Sequence, residues 1–324
     1  MSKDLGPMKP IKKHLIPTVY GNVPGFLRSP VVRDPEGLKG FDFVVFGVPW
    51  EGTVTWGDQT GCELAPRTIR QASARYGGYI PEFDLNILDH IKICDYGDVD
   101  VLWGNVDVTF DRVRKRVKQI LDSGASPIAL GGDHSITYPI LAAFGEHSDK
   151  KIGVIHFDSH FDNMDEYEGE RYARCCPIRR ISELANVKRS SIVQIGIRGP
   201  RNAYAGAKYA RESGAKVFTI RDLRERGVEK TIEEAIKVAR DGTDLVYMTI
   251  CIDILDAAYA LGGALDPAGL TSYEMLNSVR RIGMEGLCGF DVVEVYPPSD
   301  HQNATSHLAS WIVLYTLAGI VESQ

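Results

Sequence analysis

The sequence predicts an α/β protein built on a mostly parallel sheet, and three observations carry that expectation. Short apolar runs recur along the chain and alternate with helix-like stretches, the pattern of βαβ units. Several of those runs are continuously apolar rather than alternating, as expected of strands covered by helices on both faces. Polar clusters also follow four of the runs (those ending near residues 130, 157, 252 and 295), and ligands of open parallel sheets gather at the carboxyl ends of strands.

In chain order the expected strands are Phe41–Val48, Lys92–Asp95, Ser126–Leu130, Lys151–Phe157, Ser191–Ile197, Lys216–Ile220, Leu245–Ile252 and Gly289–Val295. Helical stretches are expected near 65–76, 108–123, 136–146, 178–185, 203–213, 228–240 and 271–283, with a last one at 303–321. Residues 1–40, rich in Pro, Gly and Lys, read as an N-terminal arm or loop used in assembly. Residues 41–324 hold no repeat, low-complexity tract or linker and read as one domain.

A chain of 324 residues with 44% hydrophobic and 25% charged residues has the composition of a soluble globular protein. A formal charge of −6 argues against a nucleic-acid partner. No stretch approaches the ~20 apolar residues that cross a bilayer, and the first residues carry no apolar signal core. The six cysteines (62, 94, 175, 176, 251 and 288) show no C-x-x-C spacing and read as reduced thiols of a cytoplasmic protein.

The chemistry concentrates in three runs: Gly131-Gly132-Asp133-His134-Ser135, His156-Phe157-Asp158-Ser159-His160-Phe161-Asp162, and Thr249-Ile250-Cys251-Ile252-Asp253-Ile254-Leu255-Asp256. In extended chain, residues at i, i+2 and i+4 point the same way. Asp158, His160 and Asp162 can therefore converge, Cys251 and Asp253 can form a second prong, and His134 can close the cage from a neighbouring strand. Mixed carboxylate and imidazole donors suit a pair of divalent first-row metals. A lone Asp after a strand is ordinarily a turn or cap residue, but four polar clusters at four strand ends argue jointly for a metal-type site.

These residues resemble the ureohydrolases, the family of arginases and agmatinases, over roughly residues 40–320. The resemblance runs in order through Gly47-Val48-Pro49, Ala65-Pro66-Arg67-Thr68-Ile69-Arg70, the GGDHS and HFDSHFD runs, the D-x-D-x-x-D region and Asp291-Val292-Val293-Glu294-Val295. It implies a three-layer α/β/α fold of the arginase–deacetylase type, assembled as trimers or hexamers. It also implies that His134, Asp158 and Asp162 hold one metal, and His160, Asp158 and Asp253 the other. Glu294 then faces the substrate guanidinium or, in the bland reading, is a buried carboxylate paired within the sheet. Glu294 and Asp162 are the catalytic candidates. The implied chemistry is metal-assisted hydrolysis, with manganese or nickel as the expected metal, two per intact site. The deacetylase branch is disfavoured by the full HFDSHFD run.

The chain departs from the family pattern in three places. Cys251 stands where a carboxylate normally bridges the metals. It reads as a change of metal, since thiolate suits nickel better than manganese, as a partial or lost site, or as an ordinary buried thiol. Arg174-Cys175-Cys176-Pro177 replaces a His-Gly-Thr-Pro loop. Arg174 is a substrate-contact candidate that is a poor proton shuttle and would repel a guanidinium in a dry site. Cys175 and Cys176 are either soft ligands or space fillers. The loop from Ala257 to Pro267 replaces much of a polar wall with apolar residues. Trp50 and Trp56 either form an aromatic lid, with Trp56 on the substrate, or pack against a neighbour.

Two functions follow. In the first reading the chain is a degenerate partner subunit in a heteromer with an intact relative, as in biguanide (metformin) hydrolases built from two unlike chains. In the second it is a self-sufficient hydrolase with an unusual, nickel-type site and a non-standard guanidine substrate. The accumulated departures favour the first. A small-molecule regulator has no positive feature in the sequence.

Overall fold

The computed structural model describes residues 25–53, 55 and 59–324. Trp56 and residues 1–24 of the expected arm lie outside the described residues. The strands are β1 Phe43–Gly47, β2 Tyr79–Ile80, β3 Leu85–Asn86, β4 Ile93–Asp98, β5 Ser126–Leu130, β6 Ile152–Phe157, β7 Val187–Ile197, β8 Lys216–Thr219, β9 Leu245–Cys251 and β10 Gly289–Val293. The helices are α1 Ala65–Ser73, α2 Val106–Asp122, α3 Thr137–His147, α4 Pro177–Ser182, α5 Tyr204–Ser213, α6 Ile220–Arg226, α7 Val228–Arg240, α8 Ser272–Gly283 and α9 Ala304–Glu322.

Eight strands form one sheet in the order β4-β1-β5-β10-β9-β6-β7-β8, and every neighbouring pair is parallel. These are the eight strands expected from the sequence, with ends moved by a few residues. The side-chain period of two sorts each strand between two cores. Phe43, Val45, Ile128, Leu130, Ile155, Phe157, Met248 and Ile250 face the layer that holds α1, α7, α8 and α9. Val44, Phe46, Ala129, Val154, Tyr247 and Cys251 face the layer that holds α2, α3 and α4. The result is the three-layer architecture.

Local chemistry sets the element ends. The Asn105 side chain accepts from the Val108 N–H and starts α2, whose Phe110, Val113, Val117 and Ile120 recur at helical spacing on the buried face. Thr271 and Glu274 form a reciprocal capping box at α8. A second box, Thr219 with Asp222, ends β8 one residue earlier than expected and opens α6, a helix absent from the sequence reading. The antiparallel β2–β3 pair was also not anticipated; two residues per strand are too few to show a period.

One expectation is corrected. The segment His301–Glu322 has 22 residues at mean hydropathy 1.4, so by length and composition it could cross a membrane. A helix apolar on all sides is explained here by burial. It packs against α8 and α1, and 78% of its apolar window is covered.

Residues 25–40 close the β4 edge. Arg70 of α1 donates from Nε to Asp95 Oδ2 (2.7 Å), from Nη2 to Asp95 Oδ1 (3.0 Å) and from Nη1 to Asp98 Oδ1 (2.5 Å). Asp95 Oδ2 also accepts from the Phe26 N–H (2.7 Å), and Val31 bridges to Asp95. Arg70 and Asp95 are both buried, so removing the cation strands a carboxylate. Arg70→Ala should therefore lower unfolding free energy by about 3–5 kcal/mol in chemical denaturation, as for other broken buried pairs. It should also speed amide exchange at Phe26.

Candidate metal centre

The site lies at the carboxyl ends of β5, β10, β9 and β6, four adjacent strands at the middle of the sheet. Register keeps those ends level, with Phe157 opposite Ile250 and Cys251 opposite Val293. After β5 the chain turns through Gly132, which donates to the Val48 carbonyl (2.9 Å) and accepts from the Glu294 N–H (2.9 Å). A Cβ on Gly132 would lie 1.8 Å from the Trp50 carbonyl oxygen, so only glycine permits this approach. Asp162 (φ 46°) and Glu294 (φ 62°) adopt left-handed backbone, an uncommon conformation for non-glycine residues.

Asp158 is at the centre. His134 Nδ1 lies 3.0 Å from Asp158 Oδ2 and 3.1 Å from Asp162 Oδ2. His160 Nδ1 lies 3.3 Å from Asp158 Oδ1 and 3.0 Å from Asp253 Oδ2. The structure thus brings His134, Asp158, Asp162, His160 and Asp253 together, with Cys251 grouped beside Asp158 and Asp253. His156, two residues before Asp158, receives a hydrogen bond at Nδ1 from Gln194 Nε2 (3.1 Å) and contacts Asp158 Oδ2 through Nε2 (3.0 Å). His156 also shares a donor group with His134, Asp158 and Asp162.

The donor set passes a test for a cation. Thr249 Oγ1 donates to Asp291 Oδ1 (2.6 Å), so it accepts from His134 Nε2–H (2.9 Å). In the neutral imidazole that leaves a lone pair on Nδ1, facing two carboxylates. Nδ1 is buried and has no hydrogen-bond partner of good geometry. A lone pair and two carboxylates at about 3 Å suit a shared positive charge between them. The protonation preferences express the same demand for positive charge between these groups. Burial alone would raise the Asp158 pKa, but His134, His156 and His160 hold it well below the carboxylate range. Burial alone would lower that of His134, but Asp158 and Asp162 push it well above the imidazole value. Asp162 is raised by burial and then by the Asp158 charge.

Cys251 is buried, and burial, then the charges of Asp158 and Asp253, push its thiol well above the ordinary value. It stands where the resemblance implies a bridging carboxylate. Cys175 and Cys176 have Sγ atoms 3.9 Å apart, and neither belongs to a donor group among the described residues.

Two acids escaped the sequence reading. Asp266 lies in the loop expected to be an apolar wall, yet it is buried, 3.1 Å from His160 Nε2, and accepts from Ser159 Oγ (3.1 Å). His160, Asp253 and Asp266 form a further donor group. A single Asp before Pro267 in a loop carries no period that could have flagged it. Glu51, just past β1, accepts from the Thr60 N–H (2.7 Å), the Thr60 hydroxyl (2.8 Å) and the Gly61 N–H (3.0 Å).

Glu51 matters because of Arg174. The Arg174 guanidinium is buried and donates from Nη2 to Glu51 Oε1 (2.9 Å) and from Nη1 to Glu294 Oε2 (3.1 Å). The expectation that Arg174 repels a cation is thus modified: its charge is matched by two carboxylates, one of them the candidate substrate-facing Glu294. Glu294 also accepts from the His134 N–H (2.7 Å) and the Tyr296 hydroxyl (2.6 Å). Beside this pair is a cavity of about 220 Å³ whose lining includes His160, Asp162, Cys175, Cys251, Asp253 and Tyr296. Trp50 is buried and stacks on Trp103 with ring centres 6.0 Å apart, so it packs rather than forming a lid.

The comparisons with known proteins agree with this fold and site. The profile of the arginase family matches residues 41–319. Guanidinopropionase of Pseudomonas aeruginosa is 33% identical over 311 residues, covering 94% of this chain and 93% of that protein. Agmatinase of Bacillus subtilis is 33% identical over 286 residues, covering 87% and 92%. The crystal structure of proclavaminate amidino hydrolase from Streptomyces clavuligerus superposes with a TM-score of 0.85 at 31% identity, covering 94% of this chain and 99% of that one. The chain belongs to the arginase family.

The acid limb of stability should report on Glu51. Burial alone would raise its pKa, but Thr60, Arg174 and Gly61 more than reverse this and hold it below its ordinary 4.5. A depressed carboxylate contributes stability above its unfolded pKa and loses it as pH falls through the folded one. Glu51→Gln should thus melt below the wild type at neutral pH, with the gap narrowing below about pH 4.5 in a melting series.

Proposed function

We propose that this chain is a subunit of a metal-dependent assembly that hydrolyses a C–N bond of a guanidino or biguanide compound to a urea-type product. Within that assembly it is the partner subunit, and its own site is impaired. The observation that carries this reading is Cys251. A carboxylate offers two oxygens, one to each of two cations, whereas a thiol offers one sulfur and must first lose its proton. Unless a cation is bound, burial and the neighbouring charges of Asp158 and Asp253 oppose that loss. Arg174 adds to the argument, because Glu294 already has a cation of this chain as its partner.

The residues that would hold metal are His134, Asp158 and Asp162 on one side, and His160, Asp158 and Asp253 on the other. When bound, a divalent pair acidifies water for attack on the guanidino carbon. Asp162 and Glu294 would orient the reacting groups, and His156 and Thr249 hold the donors in place. Manganese fits the oxygen-rich side, while nickel suits a set that includes the Cys251 thiolate. The assembly is an oligomer of the trimer or hexamer type and includes an intact relative, in a reducing, cytoplasmic setting.

A second reading is supported by Asp266. It restores a carboxylate to the donor set at His160, and on that basis the chain would be a self-sufficient hydrolase with an atypical site and a non-standard guanidine substrate. Asp266 approaches Nε2, however, while Asp158 and Asp253 approach Nδ1, so it does not replace the bridge.

The two readings separate by experiment. The chain purified alone should release no urea from a panel of guanidines and biguanides supplied with manganese or nickel. Co-expressed with a relative bearing aspartate at the Cys251 position, it should enter a mixed oligomer, seen by native mass spectrometry, that is active. Activity of that oligomer should persist when this chain carries Cys251→Ala. Turnover by the isolated chain, abolished by Asp158→Asn, would establish the second reading instead.

A further inference from the structure

We propose that Glu51 and Glu294 form a preorganised guanidinium clamp whose resident ligand is the chain's own Arg174, and that the clamp accepts a free guanidinium compound once that side chain is removed. One guanidinium contributes Nη2 to Glu51 and Nη1 to Glu294, two carboxylates brought together from the ends of β1 and β10. A planar fork of donors is the chemistry such a pair recognises; an ammonium would reach them as a point charge without the fork.

The clamp is built without help from Arg174. Three donors from Thr60 and Gly61 orient Glu51. The His134 N–H and the Tyr296 hydroxyl orient Glu294. Both acids are buried, and burial raises the Glu294 pKa to about 7 even beside Arg174, so deleting the arginine leaves two fixed acids that must take up either a proton or another cation. Asp133 acts electrostatically on the same guanidinium, which adds to the demand for positive charge.

Arg174 also fits imperfectly as an occupant. Its Nε is buried with no hydrogen-bond partner. Its carrier is a loop segment between β6 and α4 rather than a helix or strand. Arg174, Glu294 and Tyr296 all line the cavity of about 220 Å³, so a small planar cation has a space beside the clamp from which to enter. The arrangement is an internal occupant that keeps external guanidinium compounds off Glu294.

The test uses the full-length chain and needs neither turnover nor metal loading, so its outcome is read separately from the subunit proposal. Arg174→Ala, and Arg174→Gln as a variant nearer the original volume, are titrated with guanidinium chloride, with melting temperature as the readout. Ammonium and methylammonium chloride at equal ionic strength are the controls. Both variants should melt below the wild type, and guanidinium alone should restore the loss in a saturable way. The wild type should show no saturable gain. Adding Glu51→Gln or Glu294→Gln to Arg174→Ala should weaken the guanidinium response about tenfold, the scale of one lost charged contact. If Arg174→Ala fails to fold, Arg174→Gln decides by the same criterion. No guanidinium-specific response in the Arg174 variants, or one that survives loss of both glutamates, overturns the proposal.

Discussion

Asp158 is fully buried at the end of a central strand, where an ionised carboxylate is costly unless charges and donors surround it. Three imidazoles and the His160 N–H do so. Each imidazole is itself placed by another residue: His134 by Thr249, His156 by Gln194, and His160 by Asp266. The parallel sheet makes this convergence possible, because four adjacent strands deliver their carboxyl ends to one level. The GGDHS turn brings its histidine close only because Gly132 has no side chain to meet the Trp50 backbone.

The same cage explains why two departures from the family pattern have unequal weight. A thiol at 251 fills the volume of the core and packs in the same apolar layer as Val293 and Trp50, so the fold tolerates it. What it lacks is the second oxygen of a carboxylate. Arg174 is different. It introduces a charge into a buried pocket, and the pocket meets it with Glu51 as well as Glu294. A cation at this point is compatible with the fold only because two acids from separate strand ends already converge there.

Much of this was legible in the sequence, for physical reasons that differ by element. The eight strands of the sheet were readable because both faces are covered and their apolar runs are unbroken. His134, Asp158, His160, Asp162 and Asp253 were readable because strand-end spacing and the run order constrain them together. Asp266 and Glu51 were not, since each is a single acid in a loop whose position depends on tertiary folding. The importance of α9 was understated, because its apolar surface is wrapped by α1 and α8 from distant parts of the chain. The pairing of Arg174 was misjudged for a related reason: a charge is repulsive or stabilising according to neighbours that are more than a hundred residues away.

On the proposed reading, the family fold has kept its donor cage, lost the bridging carboxylate and filled its guanidinium position from within. A crystal structure of the chain grown with manganese and nickel, with anomalous data at both absorption edges, tests this reading. Fewer than two fully occupied metal positions, with Arg174 still spanning Glu51 and Glu294, is the predicted result. Two fully occupied metals bridged at Cys251, with Arg174 swung away from Glu294, would contradict it.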